Sequence, residues 1–321
     1  KIWKEKDGNF YCVIGSRPAD GSGQILLYRS KNGFEWEFVS TLAENKNRYG
    51  KMWECPDFFE LDDKYVLLTS PPEGMEYHNG NGTLCIIGDL DSETHTLKEQ
   101  SYQSVDYGID CYAMQTLLAP DGRRIMIAWM QNWATAGAKP AHCRWFGQMT
   151  LPRELFVQDG RLCQRPVREL DTCQRQQVLH RNIPVSGEVN LPGVQGRVVD
   201  MTVTIRPTGS EVYRWFRIHV AKDGTHDTII RYRPNESTLK IDRTRSGLPH
   251  DIVHTRSFLV RPQGGELKLR IILDRFSIEV FVNDGEQAAS SVIYTPQQAD
   301  AITFEAGGQA LIDVEKYDLI I

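Results

Sequence analysis

Downstream of residue 198, apolar side chains fall on alternate positions in run after run. Val199, Met201, Val203 and Ile205 share one face, as do Phe216, Ile218 and Val220. Leu267, Leu269, Ile271 and Leu273 repeat the pattern, followed by Phe276, Ile278, Val280 and Val282, which lead into the turn Asn283-Asp284-Gly285. A period of two with a polar opposite face marks sheets buried on one side, and two such sheets closed face to face make a sandwich. The pattern is restrictive, because a slip of one residue would turn the whole apolar set to water.

Upstream the runs are shorter. Residues 10–14, 25–29 and 35–39 are β-prone and separated by Gly, Asp, Ser and Asn. Residues 57–61, 65–69, 83–88 and 97–102 form a second group, and 112–118, 124–130, 144–150 and 153–157 a third. Each group spans roughly 45–55 residues, close to the period of radial four-stranded blades, although no word-level repeat joins them. The 26 Gly and 15 Pro in 321 residues suit many short strands better than long helices. Asp171 to Gln177 reads as a polar linker with one helical turn. The expected division is therefore 1–172 and 180–321, with the boundary near 172–180. Gly21-Ser22-Gly23 and Asn79-Gly80-Asn81-Gly82 read as hairpin turns.

The 37 basic and 42 acidic residues leave a net charge of −5 without blocks, which argues against a nucleic-acid or anionic-membrane partner. Hydrophobic residues at 40% and charged residues at 25% exclude disorder as a description of the whole chain. No apolar run approaches the roughly 20 residues of a membrane helix. The seven cysteines (12, 55, 85, 111, 143, 163 and 173) form no C-x-x-C pair, which excludes a zinc ribbon or a thioredoxin motif. Their odd number, all before residue 174, argues against a disulfide framework. Most read as small apolar fillers, and the expected compartment is reducing, hence cytoplasmic. The chain opens at Lys1-Ile2-Trp3 with neither Met nor leader, so a missing signal peptide carries no information about compartment.

There is no G-x-G-x-x-G, Walker loop, H-E-x-x-H or G-x-S-x-G. The eight His lack metal-ligand spacing, and the sequon Asn235-Glu236-Ser237 is of a kind expected by chance. Two segments break apolar runs with polar groups. In Met52-Trp53-Glu54-Cys55-Pro56-Asp57, a carboxylate flanked by Trp, Cys and Pro is costly to ionise, as a general acid working near neutral pH requires. A Glu that caps a loop or pairs with an Arg would leave the same trace. The second segment, Val105 to Gln115, holds Asp106, Asp110, Tyr107, Tyr112 and Gln115. Carboxylates beside aromatic faces suit a sugar, whose hydroxyls need acceptors and whose C–H faces stack on rings. A satisfied hydrogen-bond corner between strands would look alike. Trp129 either lines the same pocket or belongs to the core.

Taken together, these segments resemble glycoside hydrolase family 32, the invertases, sucrose-6-phosphate hydrolases and fructanases. Trp53-Glu54-Cys55-Pro56-Asp57 is similar to the family's acid/base motif, and Asp106 to Gln115 to its D-(Y/F)-G-x-D-F-Y-A-x-Q pattern. Ile127-Ala128-Trp129-Met130 resembles the strand bearing its G-W. Leu151 to Leu155 with Asp159 to Val167 resembles its last-blade signature, and Asp274 to Gly285 its D-R-S-S-V-E-V-F-x-N-x-G. The resemblance implies an all-β chain, a partial five-bladed β-propeller (about three blades, the third to the fifth) followed by a C-terminal β-sandwich. It further implies retaining hydrolysis of terminal β-fructofuranosyl groups, with two carboxylates roughly 5–5.5 Å apart. On this reading Glu54 is the acid/base, Cys55 lines the fructose pocket, and Asp110, Tyr112 and Trp129 contact substrate. No metal or organic cofactor is implied.

Departures from the pattern are as informative. No segment matches the family's N-D-P-N-G nucleophile motif or its R-D-P motif, and Lys1-Ile2-Trp3 resembles the residues directly after that second triplet. The expectation is a chain truncated at its N-terminus and inactive alone. Open propeller edges would then favour self-association. Cys111 and Met114 stand where Phe and Pro are commoner. The competing reading is a non-catalytic sugar-binding or oligomer-forming module. For a phosphorylated substrate, Lys139, Arg144 and Arg153 are candidate anchors.

Overall fold

The computed structural model describes residues 1–72, 82–135, 137–139, 143–145, 147–209, 213–249 and 251–320. The turn read at 79–82 lies, except for Gly82, outside the described residues. Among those residues, no helix is long and apolar enough to cross a membrane. The structure is built of strands, joined by turns and short 3₁₀ segments.

Three small antiparallel sheets come first. β1 (Ile2–Lys4), β2 (Phe10–Ser16), β3 (Gln24–Ser30) and β4 (Glu37–Glu44) pair in sequence order. β5 (Glu54–Leu61), β6 (Lys64–Ser70), β7 (Leu84–Leu90) and β8 (Leu97–Ser104) do the same. In the third sheet, β9 (Tyr112–Leu118), β10 (Arg124–Met130), β12 (Arg153–Gln158) and β13 (Arg161–Pro166) follow one another, and the two-residue β11 (Gln148–Met149) also pairs with β10. The strand expected over 144–150 thus shrinks to Gln148–Met149, and β12 takes its place in the sheet. Gly147, at positive φ, turns the backbone out of the extended conformation just before Gln148.

Sheet stacking explains the continuous apolar runs of the middle group. Phe58, Leu67, Leu84 and Ile86 pack against Val13, Ile25, Leu27 and Leu42 of the first sheet. Their alternate neighbours, Phe59, Val66, Leu68, Cys85 and Ile87, pack against Met114, Met126, Ala128, Leu155 and Leu162 of the third. A sheet covered on both faces reads as apolar at every position, and sheets stacked face to face in succession are the arrangement of propeller blades.

The rest of the chain forms a ten-stranded system. A 3₁₀ segment, Arg168–Cys173, gives the helical turn expected in the linker. The linker ends early, however: β14 runs over Gln174–Val189, so residues 174–177 are already strand. Most β14 positions are exposed, which is why its sequence reads as polar. It pairs along β23 (Ala301–Leu319). Beyond Gly307 and Gly308, β23 also changes neighbours, from β16 (Phe216–Lys222) to β15 (Val199–Pro207). On the β16 side follow β17 (Asp227–Arg233), β18 (Thr238–Arg245) and β19 (Thr255–Leu259). On the β15 side follow β20 (Leu267–Asp274), β21 (Ser277–Val282) and β22 (Gln287–Val292). Residues from both halves, Ile218, Ile230 and Ile241 with Met201, Leu269 and Val280, share one core, as a sandwich requires. The alternating apolar sets downstream of residue 198 therefore face inward, except that Phe276 lies half-buried in the turn before β21 and outside this core.

Two compact units result, and their chain segments interleave. The first comprises Lys1–Asp106, Cys111–Trp133 and Met149–Cys163; the second comprises Tyr107–Asp110, Ala134–Gln148 and Gln164–Ile321. The seven cysteines are free thiols. Cys12, Cys85, Cys111 and Cys163 are buried, Cys143 and Cys173 half-buried, and Cys55 exposed.

Candidate functional site

Glu54 opens β5 and Tyr112 opens β9, and both belong to the first unit. The approach to Glu54 is fixed by Trp53, which is fully buried and donates its indole N–H to the Tyr49 carbonyl at 2.9 Å. Two glycines let that segment come close. A Cβ on Gly15 would stand 2.4 Å from the Trp53 carbonyl oxygen, and one on Gly23 2.6 Å from that of Lys51.

Each strand then carries one extra residue. Three steps from Glu54 to Asp57 oppose two from Ser70 to Leu68, and three from Tyr112 to Gln115 oppose two from Trp129 to Ile127. Within these bulges Cys55 and Ala113 adopt left-handed φ of 49° and 52°. Such non-glycine conformations cost about 1–3 kcal/mol each and gather where a side chain must be aimed.

At this junction the Tyr112 hydroxyl lies 2.5 Å from Glu54 Oε2 and 3.1 Å from the Ser70 carbonyl oxygen. A phenol has one proton, and the shorter, charge-assisted bond to the carboxylate takes it. Burial first, then the Glu54 bond and charge, push the Tyr112 phenol well above its ordinary range, so it remains a donor. Ser70 Oγ accepts the Ala113 N–H at 3.0 Å, and Gln115 Nε2 donates to the Cys55 carbonyl at 3.0 Å. These bonds stitch β9 to the sheet of β5. Burial and the charge of Glu54 push the exposed Cys55 thiol up.

The aromatic wall includes a residue not expected from the sequence. Trp129, opposite Tyr112 in the ladder, has its ring 5.2 Å from that of Trp133, which lies 6.3 Å from the Tyr112 ring, both edge-on. Trp133 is 60% exposed, unusual for so large a ring. The signal was its spacing, four residues after Trp129 at the mouth of β10.

Asp57, three residues after Glu54, is buried and accepts the Thr116 N–H at 2.6 Å and Lys1 Nζ at 3.3 Å. Asp110 belongs to the second unit, where it is fully buried. It pairs with Arg243, accepts the Val292 N–H at 2.8 Å and lies 3.4 Å from Thr135 Oγ1. That is the satisfied corner weighed against a sugar contact, and it leaves Asp110 facing protein groups. Arg153 is fully buried and pairs with Asp106 at 3.0 Å. The Lys139 ammonium donates to the Cys143 carbonyl in the second unit.

The model of the glycosyl hydrolases family 32 N-terminal domain matches residues 1–166, and that of the family's C-terminal part matches 169–318. The chain belongs to glycosyl hydrolase family 32. Among curated relatives, the raffinose invertase of Escherichia coli is 35% identical over 97% of this chain and 64% of its own length. The sucrose-6-phosphate hydrolase of Staphylococcus xylosus is 32% identical over 98% of this chain and 64% of its own. In three dimensions the chain is similar to the Bombyx mori family 32 β-fructofuranosidase, with a TM-score of 0.80, 29% identity, and coverage of 99% of this chain and 64% of that one. The fold is shared with the sucrose-6-phosphate hydrolase of Lactobacillus gasseri, at a TM-score of 0.84 and 22% identity. This family 32 chain thus spans just under two-thirds of the length of the relatives it matches, and its fold is the family's partial propeller followed by a β-sandwich.

Proposed function

We propose that this chain carries the acid/base half of a β-fructofuranosidase, acting on terminal fructosyl groups of sucrose, sucrose 6-phosphate or fructans. The observation that carries the reading is the 2.5 Å bond from the Tyr112 hydroxyl to Glu54 where two bulged strands begin. Glu54 donates a proton to the leaving oxygen and later takes one from water. Tyr112 orients the carboxyl, leaving its other oxygen for the glycosidic bond. Trp129 and Trp133 offer ring faces to the sugar, and the Cys55 thiol stands beside the acid/base. Relatives named invertase, sucrose-6-phosphate hydrolase and levanase support the substrate range.

Retention requires a second carboxylate as nucleophile. No segment of this sequence matches the family's nucleophile motif, so the 321-residue chain by itself is expected to bind fructosides and turn them over at background rate. The test is tryptophan emission titrated with fructose and sucrose, alongside a sucrose hydrolysis assay. Quenching that saturates and is lost in Trp133→Ala supports the reading. No saturable response to any fructoside would sink it. Robust turnover abolished by Glu54→Gln would show instead that another carboxylate of the chain is the nucleophile. In any form of the protein that hydrolyses sucrose, Glu54→Gln should lower kcat by about 10²–10⁴.

A further inference from the structure

One feature left unused by the Glu54 region is a cleft of about 500 Å³ within the second unit. It lies on the outward face of the sheet containing β15, β20 and β23, the polar side of the alternation that builds the core. Two 3₁₀ turns beside the sheet, Arg168–Cys173 and Asn283–Gly285, contribute to its lining. Its volume is in the range of sites that hold small ligands.

Its floor is held in place. Asp200, almost wholly buried, accepts Arg270 Nε at 3.0 Å on one oxygen. On the other it accepts Arg270 Nη2 at 2.6 Å and Gln174 Nε2 at 2.8 Å. A two-pronged guanidinium–carboxylate pair fixes its plane and leaves little to reorganise on binding. At the rim, Lys268 Nζ and Asp284 meet at 2.6 Å, both substantially exposed, so their bond can be exchanged for one to a ligand. The Tyr317 ring supplies the apolar face, its hydroxyl held 2.6 Å from Glu315 Oε1.

Charge selects the ligand class. Three basic and four acidic side chains line the cleft. An anion meets the carboxylates, a cation meets the guanidinium and ammonium groups, and an apolar molecule would desolvate both without replacing their bonds. A neutral polyhydroxyl compound uses both, since each hydroxyl donates and accepts. From this cleft we infer a binding site for an uncharged oligosaccharide on the sandwich, one that includes neither Glu54 nor Tyr112. It does not depend on the acid/base role of Glu54.

The experiment is affinity electrophoresis of the full chain through gels containing levan, inulin or dextran. The expected result is retardation by at least one polymer, reduced about tenfold or more in apparent affinity by Tyr317→Ala. The rim double variant Lys268→Ala with Asp284→Ala should give the same loss and keeps the test open if Tyr317→Ala melts early. Trp133→Ala, altering only the other region, should remain retarded. Migration unaffected by all three polymers, or retardation undiminished in folded cleft variants, would overturn the inference.

Discussion

Asp110 and Arg243 are both sealed from water, and each is the main compensation for the other's burial. Burial pushes the Asp110 carboxyl above its usual range, although Arg243 and the Val292 N–H pull it down. Removing one partner of such a pair costs about 3–5 kcal/mol, so Arg243→Met should lose that much in urea unfolding at pH 7. A carboxyl whose folded value lies above its unfolded value is penalised as pH rises through the folded value. The deficit of Arg243→Met should therefore shrink when unfolding is repeated near pH 4–5. A second prediction concerns Cys55, exposed yet with a raised thiol. Alkylation by iodoacetamide should be slow at pH 7 and climb toward alkaline pH. Glu54→Gln removes a neighbouring negative charge, lowers the thiol's value and should speed labelling at fixed pH. Glu54, Tyr112 and Trp129 stood out because polar and aromatic residues interrupt apolar strands, whereas Cys55 entered only through the resemblance to family 32. The partner of Asp110 was not legible, because Arg243 lies 133 residues away and looks like any strand arginine.

Elements succeed or fail as sequence signals according to how many faces they bury. β6 and β7 are covered on both sides and announce themselves as apolar runs. β15 and β20 are covered on one and alternate. β14 covers little, so its strand character comes from the ladder with β23 and is invisible locally. The bulges at Cys55 and Ala113 were hidden for another reason, since neither residue type advertises a left-handed backbone. The loop before β5 gives a test at this scale. Gly15→Ala drives a methyl to 2.4 Å from the Trp53 carbonyl, and the backbone must yield. A loss of about 1–3 kcal/mol is expected, with altered near-ultraviolet circular dichroism from Trp53. An unchanged melting temperature would mean that the loop can withdraw from Gly15 without cost.

Across the whole molecule, the chain passes five times between the two compact units. The segment Tyr107–Asp110 belongs with strands far downstream: the Tyr107 N–H bonds to Ala288 and the Ile109 N–H to Ser290. Cutting the gene between the two family matches would therefore strand Arg243 without its carboxylate. Residues 169–321 expressed alone should show fluctuating tertiary structure, seen as dye binding and a broadened melt, while a version fused to residues 104–113 should recover a sharper transition. The same arrangement puts a clock on synthesis. Asp110 must wait for Val292, 182 residues later, which at about 5–20 residues per second is roughly 10–40 s of translation. Throughout that interval a carboxylate destined for the interior stays in water, and the strand that opens with Tyr112 hangs from an unanchored end. Slowed elongation between residues 110 and 292 should thus raise the yield lost to chaperones and proteases more than an equal delay after 292.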